Sequence, residues 1–412
     1  MIPKIFFTLR GYSLAILKQD VVAGITVALV AFPLSIGLSV ASGARPEAGL
    51  ITVIVAGFFI SLLGGSRVQI GGPTGAFIVV VYDIISTHGF DGLILATSMA
   101  GLLLIFLALF RVGNFINRVP ETVISGFTLG IGVIIAASQL KDALGLRFEA
   151  FSSNFLGQLA LVFNHLNDIR PTALVMSIGT IALIILVKQK FPRTPGLFVV
   201  VVLISGLTAL LSIDVSTLGD RFGDIKTVLS LPKIPSLELN RVVELFPSAS
   251  VIALLSGVES LLSAKVADRL VGDTHRPNAE IMAQGVANFV SPMFGGLPAT
   301  GAIARTATNI QAGGTTPIAG IVHAIVVLLI VMGFSAYAAH LALPVLAGLI
   351  LLVAWNMCQP DDTWRQLVDM DCPQRVVFGS TFLVTLLVGL AEGVLVGILL
   401  SWFISRFLSA RF

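Results

Sequence analysis

The chain has 412 residues, of which 56% are apolar and 11% charged, and its mean hydropathy is +0.99. An ordinary soluble domain carries about 25% charged residues, so the composition excludes a soluble enzyme, a nucleic-acid reader and a disulfide-built secreted scaffold. The net charge of +3 needs no polyanion partner, because cytoplasmic loops of membrane proteins are basic. Cys358 and Cys372 form no zinc or disulfide pattern. The N-terminus shows no apolar stretch ending in a small-residue cleavage site.

Gaps between charged residues locate the spans, since a helix needs roughly 20 apolar residues to cross about 30 Å of hydrocarbon. Fourteen segments are expected, near 20–41, 47–64, 73–87, 92–110, 120–140, 171–187, 195–212, 246–267, 279–294, 299–313, 316–334, 341–357, 375–391 and 392–409. The stretch 150–166 reads as an interfacial amphipathic helix, and 213–245 as the one long loop. The third and tenth segments are broken: GGPTGA at 71–76 and GGLPATGA at 295–302 put glycine and proline at mid-membrane depth. Irregular backbone is tolerated there only when buried in protein or lining a cavity.

The two broken segments are near copies. Their prolines, Pro73 and Pro298, are 225 residues apart; Pro120 and Pro344, which open the fifth and twelfth segments, are 224 apart. A third landmark, Asp20, has its counterpart near Phe246. A constant offset points to two repeats of seven, 1–225 and 226–412. An odd number of spans inverts one repeat relative to the other. The expectation is an all-α membrane protein of 14 transmembrane segments in two inverted seven-segment repeats, a pattern that points to a transporter site at the broken helices. With the N-terminus inside, 16 of the 25 lysines and arginines fall in cytoplasmic loops and tails, which places both termini in the cytoplasm of a plasma (bacterial inner) membrane.

A helix that begins in mid-membrane presents unpaired N–H groups and the positive end of its dipole, which suits a small anion. Thr74, Gly75 and Ala76 on one side, and Thr300, Gly301 and Ala302 on the other, are the candidate anion cradle. The bland alternative is that these glycines serve helix packing alone. Arg305 lies in an otherwise uncharged stretch; a buried arginine faces a cavity or a partner. It either adds positive potential to the cradle or forms an ion pair, for instance with Glu259, or reaches an interface. Glu259 lies midway along the eighth segment. Burial disfavours the charge of such a carboxylate, so it can carry a proton, or coordinate Na⁺ with Ser263 one turn on; the alternative is a neutral acid bonded to a backbone carbonyl. Phe32, beside Pro33, either walls the cavity or packs in the core. His323 and His340 read as structural. No catalytic residue and no metal site is indicated, and Walker, HExxH, GxSxG and CxxC motifs are absent from the sequence. The only cofactor-like requirement is a coupling ion, Na⁺ or H⁺.

The stretch PNAEIMAQGVANFVSPMFGGLPATGAIARTATNIQAGGTTPIAGIVHA (277–324) resembles the signature region of the SulP sulfate permease and anion exchanger family. DVVAGITVALVAFPLSIGLSVASG (20–43), GGSRVQIGGPTGAF (64–77) and RVPETVISGFTLGIGVIIAASQLKDALG (118–145) resemble its first half. VESLL (258–262) and VAWNM (353–357) are similar to its bacterial dicarboxylate branch, and bacterial bicarbonate transporters are also close. The resemblance implies a uracil-permease-like fold with a core domain (segments 1–4 and 8–11) moving against a gate domain (5–7 and 12–14). It further implies an anion between the third and tenth segments and a homodimer. A Ser-Arg pair of animal relatives is here Ala304-Arg305. A carboxylate that some bacterial members carry after the first-segment proline is here Leu34, which leaves Glu259 as the coupling candidate. The family continues into a cytoplasmic STAS domain; none lies within this chain.

The resulting expectation is a secondary active transporter, not an enzyme. It moves bicarbonate, sulfate or a C4-dicarboxylate by alternating access, coupled to H⁺ or Na⁺, with the lipid bilayer and a small anion as partners and no nucleic acid. An uncoupled anion channel is the alternative; a nucleobase permease is a third reading, against which the Arg305 position argues.

Overall fold

A computed structural model describes residues 2–116, 120–146, 155–191, 194–223, 232–233, 238–358 and 360–408. Its long helices are α1 (Leu14–Ala41), α2 (Pro46–Leu63), α3 (Ile78–Leu109), α4 (Glu121–Leu144), α5 (Pro171–Lys190), α6 (Gly196–Leu210), α7 (Leu239–Val271), α8 (Pro277–Val290), α9 (Ile303–Gln311), α10 (Ile318–Ala338), α11 (Leu343–Cys358), α12 (Cys372–Leu387) and α13 (Leu390–Leu408). Each expected segment overlaps one of them, and α3 carries both the third and the fourth. It bends between them at Gly89, whose φ of 70° and ψ of −178° leave the helical region. By length and composition, seven helical stretches among the described residues can cross a membrane.

Local chemistry sets the helix ends. Proline opens α2, α5 and α8, where the missing N–H costs nothing. The Ser13 side chain accepts from the Ile16 amide at the start of α1. Gly145 and Gly272 close α4 and α7 in the left-handed conformation. Helix α7 runs further than the expected 246–267 because Pro247 sits inside it rather than ending it. Of the expected interfacial helix, Phe155–Asn164 is helical; residues 150–154 and the repeat boundary at 225–226 lie outside the described residues.

Large apolar side chains such as Leu14, Leu210 and Met332 face outward, while Asp20, Glu280 and Arg305 are buried. This is the distribution of a protein whose outer solvent is hydrocarbon. One apolar cluster joins α3, α4 and α7 through Leu93, Ile131 and Leu261. A second joins α1, α2, α10 and α11 through Ile36, Val53, Val327 and Leu346. Glycines let helices approach closely: a Cβ on Gly285 of α8 would press on Ile105 of α3.

The expectation of a purely helical chain needs one amendment. The unwound stretches before α3 and α9 cross in the interior and pair as two short antiparallel strands, β1 (Gly71–Gly72) and β2 (Thr300–Gly301), with Gly71 opposite Gly301 and Gly72 opposite Thr300. Backbone buried away from water needs partners, and each unwound stretch supplies the other's.

Candidate functional site

The β1–β2 crossing positions the candidate residues. After β1 the chain passes Pro73 and Thr74 into a 3₁₀ turn, Gly75–Phe77, that feeds α3. After β2 it passes Ala302 into α9. No side chain caps either start. Among the described residues, no backbone carbonyl accepts from the amides of Gly75, Ala76, Ile303 or Ala304. Two helix N-termini therefore bring free donors and positive dipole ends to one buried region. The Ala302 amide is not among them, since it donates to the Ile70 carbonyl at 2.9 Å. The free donors of the second half begin one residue later than the sequence suggests.

Arg305 lies in the first turn of α9 and is 2% exposed. One of its η-nitrogens donates to the Pro73 carbonyl, which ties α9 to the other broken segment. Its Nε and Nη1 have no partner, so two of its donor nitrogens remain for an anion. Gly72 makes room for this guanidinium: its φ of +149° disfavours any side chain, and a Cβ there would overlap Nη1. No ion pair within 4.0 Å joins Arg305 to Glu259.

Glu259, on α7, accepts from the Thr74 hydroxyl at 2.9 Å. This carboxylate therefore touches the N-cap of the first broken helix, and the alternative of a bond to a backbone carbonyl is not what holds it. Ser263, one turn on, is buried and 3.5 Å from the Thr306 hydroxyl, whose oxygen accepts from the Ile70 amide at 3.1 Å. Thr300 is turned to the Ser256 carbonyl, 3.0 Å away, and Gly301 lies against Gln69. Phe32 sits in the second apolar cluster, 6% exposed. His323 is buried against Gly57. The crossing thus gathers Thr74, Gly75, Ala76, Glu259 and Arg305. Ser263, Thr300, Gly301 and Ala302 brace it from behind.

A buried polar network holds the crossing in place, and sequence reasoning missed it. Asn288 of α8 grips Ala299 from both sides, accepting from its amide and donating to its carbonyl, each at 2.8 Å. Gln284 donates to Ser260 and to Glu280, and Glu280 accepts from the Gly65 amide at 3.0 Å and from Ser260 at 2.9 Å. Gln69 closes the chain by donating to Ser260 at 3.0 Å. Thr52 accepts from the Leu297 amide at 2.6 Å, and Asn309 donates to the Val68 carbonyl at 2.8 Å. The available signal was the spacing of Glu280, Gln284 and Asn288, four residues apart, which lines one face of a helix.

A charge-poor helical bundle with an apolar exterior, crossed inside by two broken segments that carry an arginine and a carboxylate, defines an integral membrane protein of the solute-transporter class. The chain belongs to the Sulfate permease family, whose profile matches residues 17–378. It is 40% identical over 378 residues to YvdB of Bacillus subtilis, whose name proposes sulfate as cargo; the match covers 92% of this chain and 71% of YvdB. It is 33% identical over 351 residues to the bicarbonate transporter BicA of Picosynechococcus, covering 82% of this chain and 61% of BicA. The chain therefore spans less than two thirds of BicA's length. Among solved structures, the transmembrane domain of a cyanobacterial BicA matches with a TM-score of 0.83 at 30% identity, over 93% of this chain and 98% of that one. Murine Slc26a9, an anion transporter captured inward-facing, matches with a TM-score of 0.89 at 17% identity, over 99% and 71%, which speaks for the fold alone. These relatives are named as transporters, not enzymes.

Proposed function

We propose that this chain is a secondary active transporter for a small inorganic or carboxylate anion, held between the Gly75–Ala76 and Ile303–Ala304 amides and the unpartnered donors of Arg305. The observation that carries this reading is the conjunction at one buried crossing of unengaged helix N-termini with a guanidinium that keeps two unpartnered donors. Amide donors and a buried guanidinium complement oxyanions such as sulfate and bicarbonate. The names of YvdB and BicA put these two anions ahead of C4-dicarboxylates.

Two inverted seven-segment repeats account for the packing. Exchanging the repeats sends the α1–α10 contact onto α7–α3, α8–α3 onto α2–α10, α12–α4 onto α5–α11, and α5–α6 onto α12–α13; all of these pairs are in contact. The α2–α8 and α4–α11 contacts map onto themselves. Helices α1–α3 with α7–α10 form the core body, and α4–α6 with α11–α13 the gate. The cradle belongs to the core but faces the gate: a Cβ on Gly75 would press on Ile135 of α4 and Met357 of α11. Movement of the core along that boundary carries the anion from one side to the other.

Glu259 is the coupling residue. Its Thr74 partner can donate to a carboxylate or accept from a carboxylic acid, so the link survives loading with H⁺, and Na⁺ would recruit the same oxygens. Both termini lie in the cytoplasm, and the functional unit is a homodimer. Uptake of labelled sulfate, bicarbonate and succinate into proteoliposomes under imposed H⁺ or Na⁺ gradients tests the reading. Gradient-driven accumulation of sulfate or bicarbonate is expected, whereas accumulation of none of the three overturns it. Succinate uptake alone would return the chain to the dicarboxylate branch.

A further inference from the structure

Where α1 begins, a cavity of about 420 Å³ opens beside the N-terminal residues. This lies within the roughly 300–1,000 Å³ usual for small-molecule sites. Lys4, Arg10, Arg67, Asp273 and Thr315 are among its lining residues. Lys4 is committed: it donates to Asp273 and to the Thr274 carbonyl, both at 2.9 Å. Burial works to raise the Asp273 carboxyl, but Lys4, the Thr274 amide and the charge of Arg67 outweigh it and hold it below its ordinary value. Asp20, buried behind Thr315 and Thr316, is also saturated: it accepts from both threonine amides at 2.8 and 3.1 Å, and from the Tyr12 hydroxyl at 3.0 Å.

Arg10 and Arg67 are left over. Arg67 is anchored through Nε to the Thr315 carbonyl at 2.9 Å, and no described residue bonds its η-nitrogens. Arg10 has no ion pair among the described residues, and its guanidinium lies 5.8 Å from the Phe7 ring centroid. Arg276 stacks on the same ring at 3.9 Å and adds a fourth cation at the rim. Four cations thus stand against two carboxylates in this region, and the two guanidiniums left over, Arg10 and Arg67, both line the cavity. Alongside, Phe6, Leu9 and Leu14 are exposed. In a membrane protein, apolar side chains next to cations at a helix end mark the headgroup level.

We propose that this cavity binds the phosphate of an anionic phospholipid, between Arg10 and Arg67, with the acyl chains lying toward Phe6, Leu9 and Leu14. The arginine fork fits a phosphate oxygen pair, and a zwitterionic headgroup would bring its own cation into an already positive pocket. Free phosphate has the same recognition chemistry, so the experiment separates the two sources. The full chain is purified with added phosphatidylglycerol or phosphatidylcholine, and retained lipid is counted by native mass spectrometry. Inorganic phosphate is titrated in parallel, with the melting temperature as readout. Preferential retention of phosphatidylglycerol, cut about fivefold or more in both Arg10→Gln and Arg67→Gln, is the expected result. A phosphate-dependent rise in melting temperature, lost in the same variants without lipid retention, would overturn the lipid in favour of the soluble ion. Equal retention of both lipids, or retention untouched by the substitutions, overturns the site. Arg10 is exposed and makes no fold-bearing bond, so Arg10→Gln decides the matter if Arg67→Gln fails to fold.

Discussion

Arg305 shows how far a single residue can be read. Its lone charge in an apolar stretch marks it in the sequence, but its two free donors and its tie to the Pro73 carbonyl exist only because two distant segments cross. Charged hydrogen bonds contribute about 1.5–3 kcal/mol each. Arg305→Ala is therefore expected to weaken apparent anion affinity by about tenfold or more, measured as the concentration dependence of uptake; unchanged affinity would leave the guanidinium as a strut. Gly72→Ala tests the same contact without touching the charge. Its Cβ would displace Nη1, and a similar affinity loss is expected in a competition assay with unlabelled anion. Glu259→Gln keeps an oxygen to accept from Thr74 but cannot change charge. It should abolish gradient-driven accumulation while sparing anion exchange; if both persist equally, coupling lies elsewhere.

Elements were more legible than the bonds between them. Helix α8 was recognisable as a span, yet the role of its polar face was not, because a linear reading does not say which helix face meets which neighbour. In the folded chain that face is the clamp on both unwound stretches, through Glu280, Gln284 and Asn288. Asn288→Leu would leave the Ala299 amide and carbonyl without partners, at a cost of about 1–3 kcal/mol for each unsatisfied group. The expected outcome is a lower melting temperature in detergent together with weakened anion affinity, since the Thr300–Gly301 strand hangs from that grip. A variant that melts early but binds normally would confine Asn288 to stability. The β1–β2 pair was invisible for a related reason: two-residue strands carry no periodicity, and Gly71 meets Gly301 across 230 positions of chain.

At the scale of the molecule, the proposed carrier has its cradle where Gly75 meets Ile135 of α4 and Met357 of α11. A carrier of that build saturates and supports counterflow. Preloaded proteoliposomes should accelerate uptake of labelled sulfate or bicarbonate, whereas unitary currents without counterflow would replace the carrier by a channel. The N-terminal tie has a pH window of its own. Asp273 titrates below its unfolded value, so its contribution is fully present above the ordinary carboxylate range and is lost as pH falls through its folded value. Limited proteolysis near residue 10 should therefore accelerate only in acid, and Asp273→Asn should show that acceleration already at neutral pH.

Composition and charge spacing alone put the chain in hydrocarbon, marked the two broken stretches, and singled out Arg305 and Glu259 as charges out of place. Those properties are written in composition and in the distance between charges, because a bilayer of fixed thickness imposes them one helix at a time. The tertiary structure alone decided which amides stay free, that Arg305 reaches Pro73 rather than Glu259, that Ala302 turns back to Ile70, and that Arg10 and Arg67 face a common cavity. Each of these is a choice among partners far apart in the chain, and only the packing of one helix against another makes it.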